Sequence, residues 1–408
     1  MNTAKIRDLP IKIIDGDRSS RYPKRDEFQN EGILFLNTTN IVDNHLDLSS
    51  ANYISVEKFT QLGKGKLQRF DIVMTTRGSI GKVALFNHPA HQTGFINAQM
   101  LIFRPDATVI DPYFLYYLFC GSDFQGLLKN FASGSAQPQL PIVDLKEIEI
   151  PCPPLPTQRK IAAILSAYDD LIENNTRRIR ILEAMAQAIY REWFVNFRYP
   201  GHEGVRLVES PLGPIPEGWE VGKLGEICRI VMGQSPESKY YNDEQIGLPF
   251  HQGVSDFGSR FPTDRKFCTQ MNRIAETGDI LFSVRAPVGR INISRKRIII
   301  GRGLCAIRSY IDEQQRFVFQ QMQEIFQEED MMGGGTIFKS VTKDDMQGIK
   351  MLIPPIDLIR VFEELIAPIF RSLEVLYDKN LNLRQQRDML LPRLISGEIT
   401  VDEIEVLQ

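Results

Sequence analysis

Two hydrophobic patterns alternate along the chain. Up to about residue 150 the apolar runs are short and bounded by Gly, Pro, Asn and Asp, as in Ile72-Val73-Met74, Val83-Ala84-Leu85-Phe86 and Met100-Leu101-Ile102-Phe103. This is the strand-and-turn pattern, and one helix is expected to interrupt it at about Tyr113 to Leu128. After Pro153-Pro154 the period becomes helical. Ile161, Leu165, Tyr168, Ile172, Asn175, Ile179, Leu182, Ala186, Ile189 and Trp193 alternate spacings of four and three, the rule for a coiled-coil seam.

Both patterns then return. Ile280-Leu281-Phe282, Ile291-Asn292-Ile293 and Ile298-Ile299-Ile300 predict strands, and a helix is expected at about Gln314 to Glu328. After Pro354-Pro355 a second seam runs through Phe362, Ile366, Ile369, Leu373, Leu376, Asn380, Leu383, Arg387, Leu390 and Leu394. The recurrence extends to individual residues. Asp71-Ile-Val-Met-Thr-Thr-Arg77-Gly-Ser-Ile-Gly81-Lys82-Val83 returns 208 positions later as Asp279-Ile-Leu-Phe-Ser-Val-Arg285-Ala-Pro-Val-Gly289-Arg290-Ile291. Gly32 to Asn37 returns as Gly247 to Gln252, and Asp15-Gly16-Asp-Arg18 loosely as Met232-Gly233-Gln-Ser235. The segment from Gly134 to Pro154 returns as Gly335 to Pro355. Two copies of about 200 residues make a duplication and not a solenoid, which needs roughly three or more repeats.

Each helical run is on the order of 50 Å long and needs a partner along its seam. An antiparallel pairing with Asn175 facing Asn380 would place Ile179 on Leu376, Leu182 on Leu373, Ile172 on Leu383, Ile189 on Ile366 and Leu165 on Leu390. A facing Asn pair rejects shifted alignments, because a slipped amide lies unpaired in an apolar layer. The alternative leaves both amides at solvated edges of the bundle.

Composition narrows the function classes. Hydrophobic residues at 43% and charged residues at 24% are those of a globular protein, and a net charge of −3 argues against a uniformly basic coat. Any nucleic-acid surface must be local. Five scattered cysteines with no C-x-x-C pair disfavour a disulfide framework or a thiolate zinc site and fit a reducing cytosol. No apolar run reaches membrane-spanning length, so no membrane association is expected, and a cytoplasmic protein is. No nucleophile elbow, zinc-protease motif or dinucleotide fingerprint is present. Gly78-Ser-Ile-Gly81-Lys82-Val83 lacks phosphate-loop spacing and reads as a tight turn, and His88 and His91 read as a surface loop. No catalytic or metal-binding residue is proposed, and a binding protein is favoured.

Positive charge concentrates at matched places. Lys58, Lys64, Lys66, Arg69, Arg77 and Lys82 share one stretch with a single acid, Asp71. Arg285, Arg290, Arg295, Lys296, Arg297, Arg302 and Arg308 share another with none. Glycines and hydroxyls interleave, the mixture that holds phosphate oxygens, while Arg, Asn and Gln can read base edges. The DNA-contact candidates are Arg18, Arg21, Lys24, Asn37, Lys64, Lys66, Arg77 and Lys82 in the first copy. Those in the second are Gln234, Ser235, Lys239, Gln252, Arg285, Arg290, Arg295, Lys296 and Arg302.

The duplicated order of these motifs resembles the specificity subunit of type I restriction-modification systems over essentially the whole chain. The resemblance rests on Gly63-Lys-Gly-Lys-Leu67, the Asp71 and Asp279 segments, Gly233-Gln-Ser-Pro236 and Ile300-Gly-Arg-Gly-Leu304. It rests equally on both Pro-Pro junctions, Pro156-Thr-Gln158-Arg159-Lys160-Ile161, Gly213 to Trp219 and Leu391 to Glu398. It implies an α+β fold with two homologous target recognition domains in pseudo-twofold arrangement, joined by two long antiparallel coiled-coil helices. The expected division is 1–153 and 213–353 for the recognition domains, 154–198 and 354–395 for the helices, 199–212 for a linker and 396–408 for a tail. It further implies a non-enzymatic chain that reads a bipartite double-stranded DNA site, the helices setting the spacer. The helices would dock modification subunits, expected to be two, and through them restriction subunits. S-adenosylmethionine, ATP and magnesium would belong to those partners, with no cofactor in this chain. Arg77 and Arg285, at matched framework positions, would hold phosphates or brace the fold in preference to reading bases. The alternatives are the recognition subunit of a combined methyltransferase-nuclease and a coiled-coil scaffold that binds no DNA.

Overall fold

The computed structural model describes residues 2–131, 139–326 and 340–401. Gly134 and Gly335 of the repeat, the predicted second helix beyond 326 and 402–408 of the tail lie outside them. The chain forms two compact units, Met1–Arg177 with Tyr377–Gln408, and Arg178–Leu376. Both boundaries fall within the long helices, so each unit joins a globular part to one end of each helix. The expected division into separate globular and helical segments therefore differs from the packing. An amphipathic helix end buries its apolar face most fully against the sheet domain beside it.

In the first unit, strands β1 (Ile11–Asp15), β5 (Asp71–Thr75), β6 (Val83–Phe86) and β8 (Met100–Pro105) form one antiparallel sheet in the order β1-β8-β5-β6. Strands β2 (Ile33–Leu36), β3 (Asn52–Ile54), β4 (Lys66–Gln68) and β7 (Thr93–Ile96) form a second in the order β3-β2-β7-β4, with β2 and β7 parallel. Strand alternation divides the core. Ile72, Met74, Leu101 and Phe103 face the helices, while Val73, Met100, Ile102 and Phe86 face Leu34, Leu36, Leu67 and Ile96 of the second sheet. Burial on both faces explains why these strands read as continuous apolar runs.

The helix expected at 113–128 is two helices, α1 (Pro112–Cys120) and α2 (Ser122–Phe131), separated at Gly121, where the backbone is extended. Asp111 caps α1 by accepting from the amides of Tyr113 and Phe114. The long helix α3 (Leu155–Tyr190) starts beneath α1. There the buried Gln158 side chain accepts from the Asp111 amide and donates to the carbonyls of Val109 and Pro153. Val401 is buried in the same core, so part of the expected tail is structural.

The second unit repeats this plan. Strands β9 (Cys228–Met232), β14 (Ile280–Ser283), β15 (Ile291–Ile293) and β17 (Leu304–Ser309) form an antiparallel sheet ordered β9-β17-β14-β15. Strands β10 (Tyr241–Asn242), β11 (Leu248–His251), β12 (Phe267–Cys268), β13 (Ile274–Ala275) and β16 (Ile298–Ile300) form the other, ordered β10-β12-β11-β16-β13, again with one parallel pair, β11 with β16. Helix α4 (Gln315–Ile325) packs Phe317, Val318 and Met322 into a core shared with Ala186, Tyr190 and Phe194 and with Phe362 and Ile366 of α5 (Ile356–Ser396). A π-helical turn, Arg191–Val195, extends α3 and carries Phe194 into this core.

The helix ends meet differently in the two units. In the first, Asn175 donates to the Asn380 side-chain oxygen at 2.9 Å, and Asn380 donates to the Ile172 carbonyl at 3.3 Å and the Thr176 hydroxyl at 3.2 Å. Asn380 is 4% exposed, and these bonds supply what its burial requires. Arg387 and the Tyr117 hydroxyl both bind Asp169. In the second unit Leu373, Leu376 and Ile179 are buried, and Arg260 pairs with Glu183 while lying over the rings of Phe319 and Phe370.

Candidate nucleic-acid interface

In each unit four loops meet where the two sheets adjoin. The loop after β2 accepts from the loop before β8: the Asn97 amide donates to the Leu36 carbonyl at 2.9 Å. At the corresponding place the Gly301 amide donates to the His251 carbonyl at 2.8 Å. The loop after β5 joins through Thr76 N–H to the Gln99 carbonyl at 2.8 Å, matched by Val284 N–H to Gly303 at 3.0 Å. The loop after β1 presses so closely that only glycine fits. A Cβ at Gly16 would lie 2.5 Å from the Asn97 carbonyl oxygen, and one at Gly233 would lie 2.1 Å from that of Gly301. Asn97-Ala98-Gln99 therefore corresponds to Gly301-Arg302-Gly303, a match hidden in the sequence because no residue identity marks it.

The turn carrying Arg77 and Lys82 is rebuilt bond for bond with Arg285 and Arg290. Thr75 N–H donates to the Lys82 carbonyl at 2.9 Å, and Ser283 N–H to that of Arg290 at 2.9 Å. The Lys82 amide donates to the Thr75 hydroxyl at 3.0 Å, and the Arg290 amide to the Ser283 hydroxyl at 2.8 Å. Gly81 and Gly289, at φ 83° and 90°, occupy the left-handed conformation that closes each turn. The expected tight turn is thus a framework element. Arg77 bridges Gln139, and Arg285 bridges Ser340, through the backbone.

Several candidates gather at this junction. In the first unit Arg18, Arg77, Asp15, Thr76 and Gln139 line a cavity of about 250 Å³. Asn37 lies beside Asn97, whose amide donates to it at 3.5 Å. Arg18 donates to Asp15 at 3.2 Å and to the Ala98 carbonyl at 3.3 Å. In the second unit the Ser235 hydroxyl donates to the Gln252 side-chain oxygen at 2.9 Å and accepts from the Arg302 amide at 3.3 Å, while the Gln234 amide donates to the Ile300 carbonyl at 3.0 Å. The guanidinium groups of Arg77, Arg285 and Arg302 have no carboxylate partner among the described residues. Gln99, exposed at the same place, was absent from the sequence candidates.

Other candidates are engaged locally. Arg21 donates to the Gln61 carbonyl, Lys66 lies over Phe59, and the Lys82 ammonium donates to the Ile41 carbonyl at 3.3 Å. Lys24 and Lys64 are exposed. Lys239 pairs with Glu237 and covers Tyr240, Arg295 stacks on Phe261, and Arg290 lines a separate cavity of about 590 Å³ with Phe257, Asn292 and Phe326. Lys296 pairs with Asp264 at 2.5 Å, and Asp264 in turn binds the fully buried His251 at 3.0 Å. Burial pushes the Asp264 carboxyl up, but hydrogen bonds from His251 and Lys296 outweigh it and hold it below the usual value.

Arg308 does not belong with the surface charges. Its guanidinium forms two bonds to the buried Asp279, at 2.6 and 2.7 Å, as Arg104 does to Asp71 at 2.7 and 2.7 Å. The acids that begin each repeated segment thus anchor neighbouring strands β8 and β17. Among the described residues no cluster of His, Cys, Asp and Glu could hold a metal ion, and no helix is long and apolar enough to cross a membrane.

Comparison with known proteins now decides the family. The type I restriction modification DNA specificity domain matches residues 5–184 and again 216–380. The chain belongs to that family. Its function is DNA target recognition within a type I restriction-modification system. The type I restriction enzyme MjaX specificity subunit of Methanocaldococcus jannaschii is similar at 32% identity, over 88% of this chain and 86% of its own. The HindI specificity subunit of Haemophilus influenzae is 21% identical over 94% and 98%. A crystal structure of the type I system S subunit from M. genitalium shares the fold, with a TM-score of 0.56 at 18% identity over 97% and 96% of the two chains. The family match falls twice on the duplicated plan of specificity domains.

Proposed function

We propose that each unit binds one half of a bipartite double-stranded DNA site through its four-loop junction. The observation that carries this reading is the junction itself, built twice on the same backbone bonds and dressed with different polar side chains. A shared scaffold with diverged tips suits two readers of two different half-sites. The long helices hold the two readers apart, so that their length sets the unread spacer. They also receive modification subunits, expected to be two. In support of docking, α3 and α5 expose apolar side chains at Leu171, Ile181, Met185, Val361, Leu365, Val375, Leu381 and Met389. Methyl transfer from S-adenosylmethionine, and ATP- and magnesium-dependent cutting by restriction subunits, belong to those partners and not to this chain.

The test is to co-express the chain with the modification subunit encoded beside it and map methylated adenines across the host genome. A split motif with two defined halves and one fixed spacer is expected. A single uninterrupted motif would overturn the bipartite reading, and failure of the two proteins to co-purify would overturn the docking role. Four residues inserted near Asn175, about one helical turn, should change the spacer and neither half.

A further inference from the structure

We infer that the junction of each unit is a phosphate clamp made by two arginines, and that Arg18 and Arg302 are the same clamp arm supplied from opposite sides of one gap. This rests on the reading that the two units bind different half-sites. Whatever both junctions hold in common must meet something common to both half-sites, and the feature that two different sequences share is the sugar-phosphate backbone.

Arg77 and Arg285 stand on the same framework turn, one in each unit. The second arginine changes loops. In the first unit it is Arg18, on the loop after β1, and its guanidinium donates to the carbonyl of Ala98. Ala98 is the position that Arg302 occupies in the second unit. There the arrangement is reversed, because the Arg302 amide donates to the hydroxyl of Ser235, the position that Arg18 occupies in the first. Each junction therefore keeps one arginine on a loop bonded to that of the framework arginine, although the loop that supplies it has switched. In the first unit Arg18 and Arg77 line one cavity. In the second the residues next to Arg285 and Arg302 are directly bonded, Val284 N–H to the Gly303 carbonyl. Two arginines carried on loops that glycine lets approach closely suit an anion, and paired forks suit phosphate oxygens. The units differ in one respect. Asp15 holds Arg18 at 3.2 Å, whereas its counterpart is Met232, so the second clamp has no competing carboxylate from that position.

The experiment uses the chain in complex with its modification subunit, on a duplex carrying the methylation motif found for the wild type. Arg302→Ala should weaken binding roughly tenfold, equally on specific and unrelated duplexes. It should lower the slope of log affinity against log salt by about 0.9 and leave every base of the methylated motif unchanged. Arg302→Lys should recover only part of the loss, since it restores the charge but not the fork. Arg18→Ala should act in the same direction by a smaller factor, since Asp15 already engages that group. As a check independent of folding, single methylphosphonate substitutions in the duplex should reveal a phosphate whose neutralisation weakens the wild type but not Arg302→Ala. One motif position becoming degenerate with the salt slope intact would make Arg302 a base reader and overturn the clamp. Absence of any such coupled phosphate would also overturn it. A wild-type complex with no bipartite motif would instead remove the half-site reading beneath both.

Discussion

The two units share their strand order, apart from the added edge strand β10 of the second, and their junction bonds, but fasten the helices by different chemistry. The first adds polar contacts to the aliphatic packing of Ile161, Leu165, Leu391 and Leu394: Gln158 buried under α1, Tyr117 and Arg387 converging on Asp169, and the Asn175–Asn380 pair. The second uses rings, with Tyr190, Phe194, Phe317 and Phe362 packed edge to face or tilted within about one ring's reach, joined by Arg316 on Glu363. The contrast shows which features the fold requires. Backbone bonds between loops recur because they fix where strands end, whereas a helix can be anchored by any chemistry that satisfies burial.

The largest expected effect comes from the aromatic anchor. Phe362→Ala should cost about 4 kcal/mol, because a fully buried ring leaves a cavity among rigid neighbours. Urea denaturation should show this loss in the second unit, and a loss below about 1 kcal/mol would mean that the rings are not the anchor. Next comes the shared ion pair. Asp71→Ala should cost about 3 kcal/mol by leaving Arg104 partly buried and unpaired. Asp279→Ala should cost less, about 2 kcal/mol, since Arg308 is 37% exposed against 25% for Arg104 and water can replace its partner. Equal losses would remove solvent access as the cause.

Tyr117→Phe keeps the ring and removes only the bond to Asp169, so a loss of about 1.5 kcal/mol is expected, with no counterpart in the second unit. The smallest effect is a pH dependence carried by the His251–Asp264–Lys296 cluster of the second unit. The Asp264 carboxyl is held below its unfolded value, so its stabilisation is present above about pH 3.9 and is lost as pH falls through the lowered folded value. Asp264→Asn should flatten that acid limb of stability by under about 1 kcal/mol, read as unfolding midpoint against pH. The first unit has Leu36 where the second has His251, so no corresponding His–Asp pair acts there.

Some of this was legible from local pattern. The period change after each Pro-Pro marks α3 and α5, and Asp71 to Val83 recurring as Asp279 to Ile291 marks the duplicated turn. The site was only half legible. Arg77, Arg285, Ser235 and Gln252 were visible in matched motifs, but Gln99 was not, and Arg308 looked like surface charge. An arginine's role depends on whether an acid lies across the sheet, which spacing along one strand does not express. Likewise the break at Gly121 lies within an apolar run that reads as one helix.

What the sequence determined by itself is therefore periodic and local: which stretches are strands, which are long helices, and that the plan occurs twice. These follow from side-chain alternation, which each segment carries within itself. Only the tertiary structure decided that Arg18 meets the loop of Ala98, that Arg302 answers to the same gap from the other side, and that helix ends belong to the cores of the globular parts. Those relations join residues some 80 positions apart through sheet register and glycine-tight backbone contact. They exist only once the strands are paired.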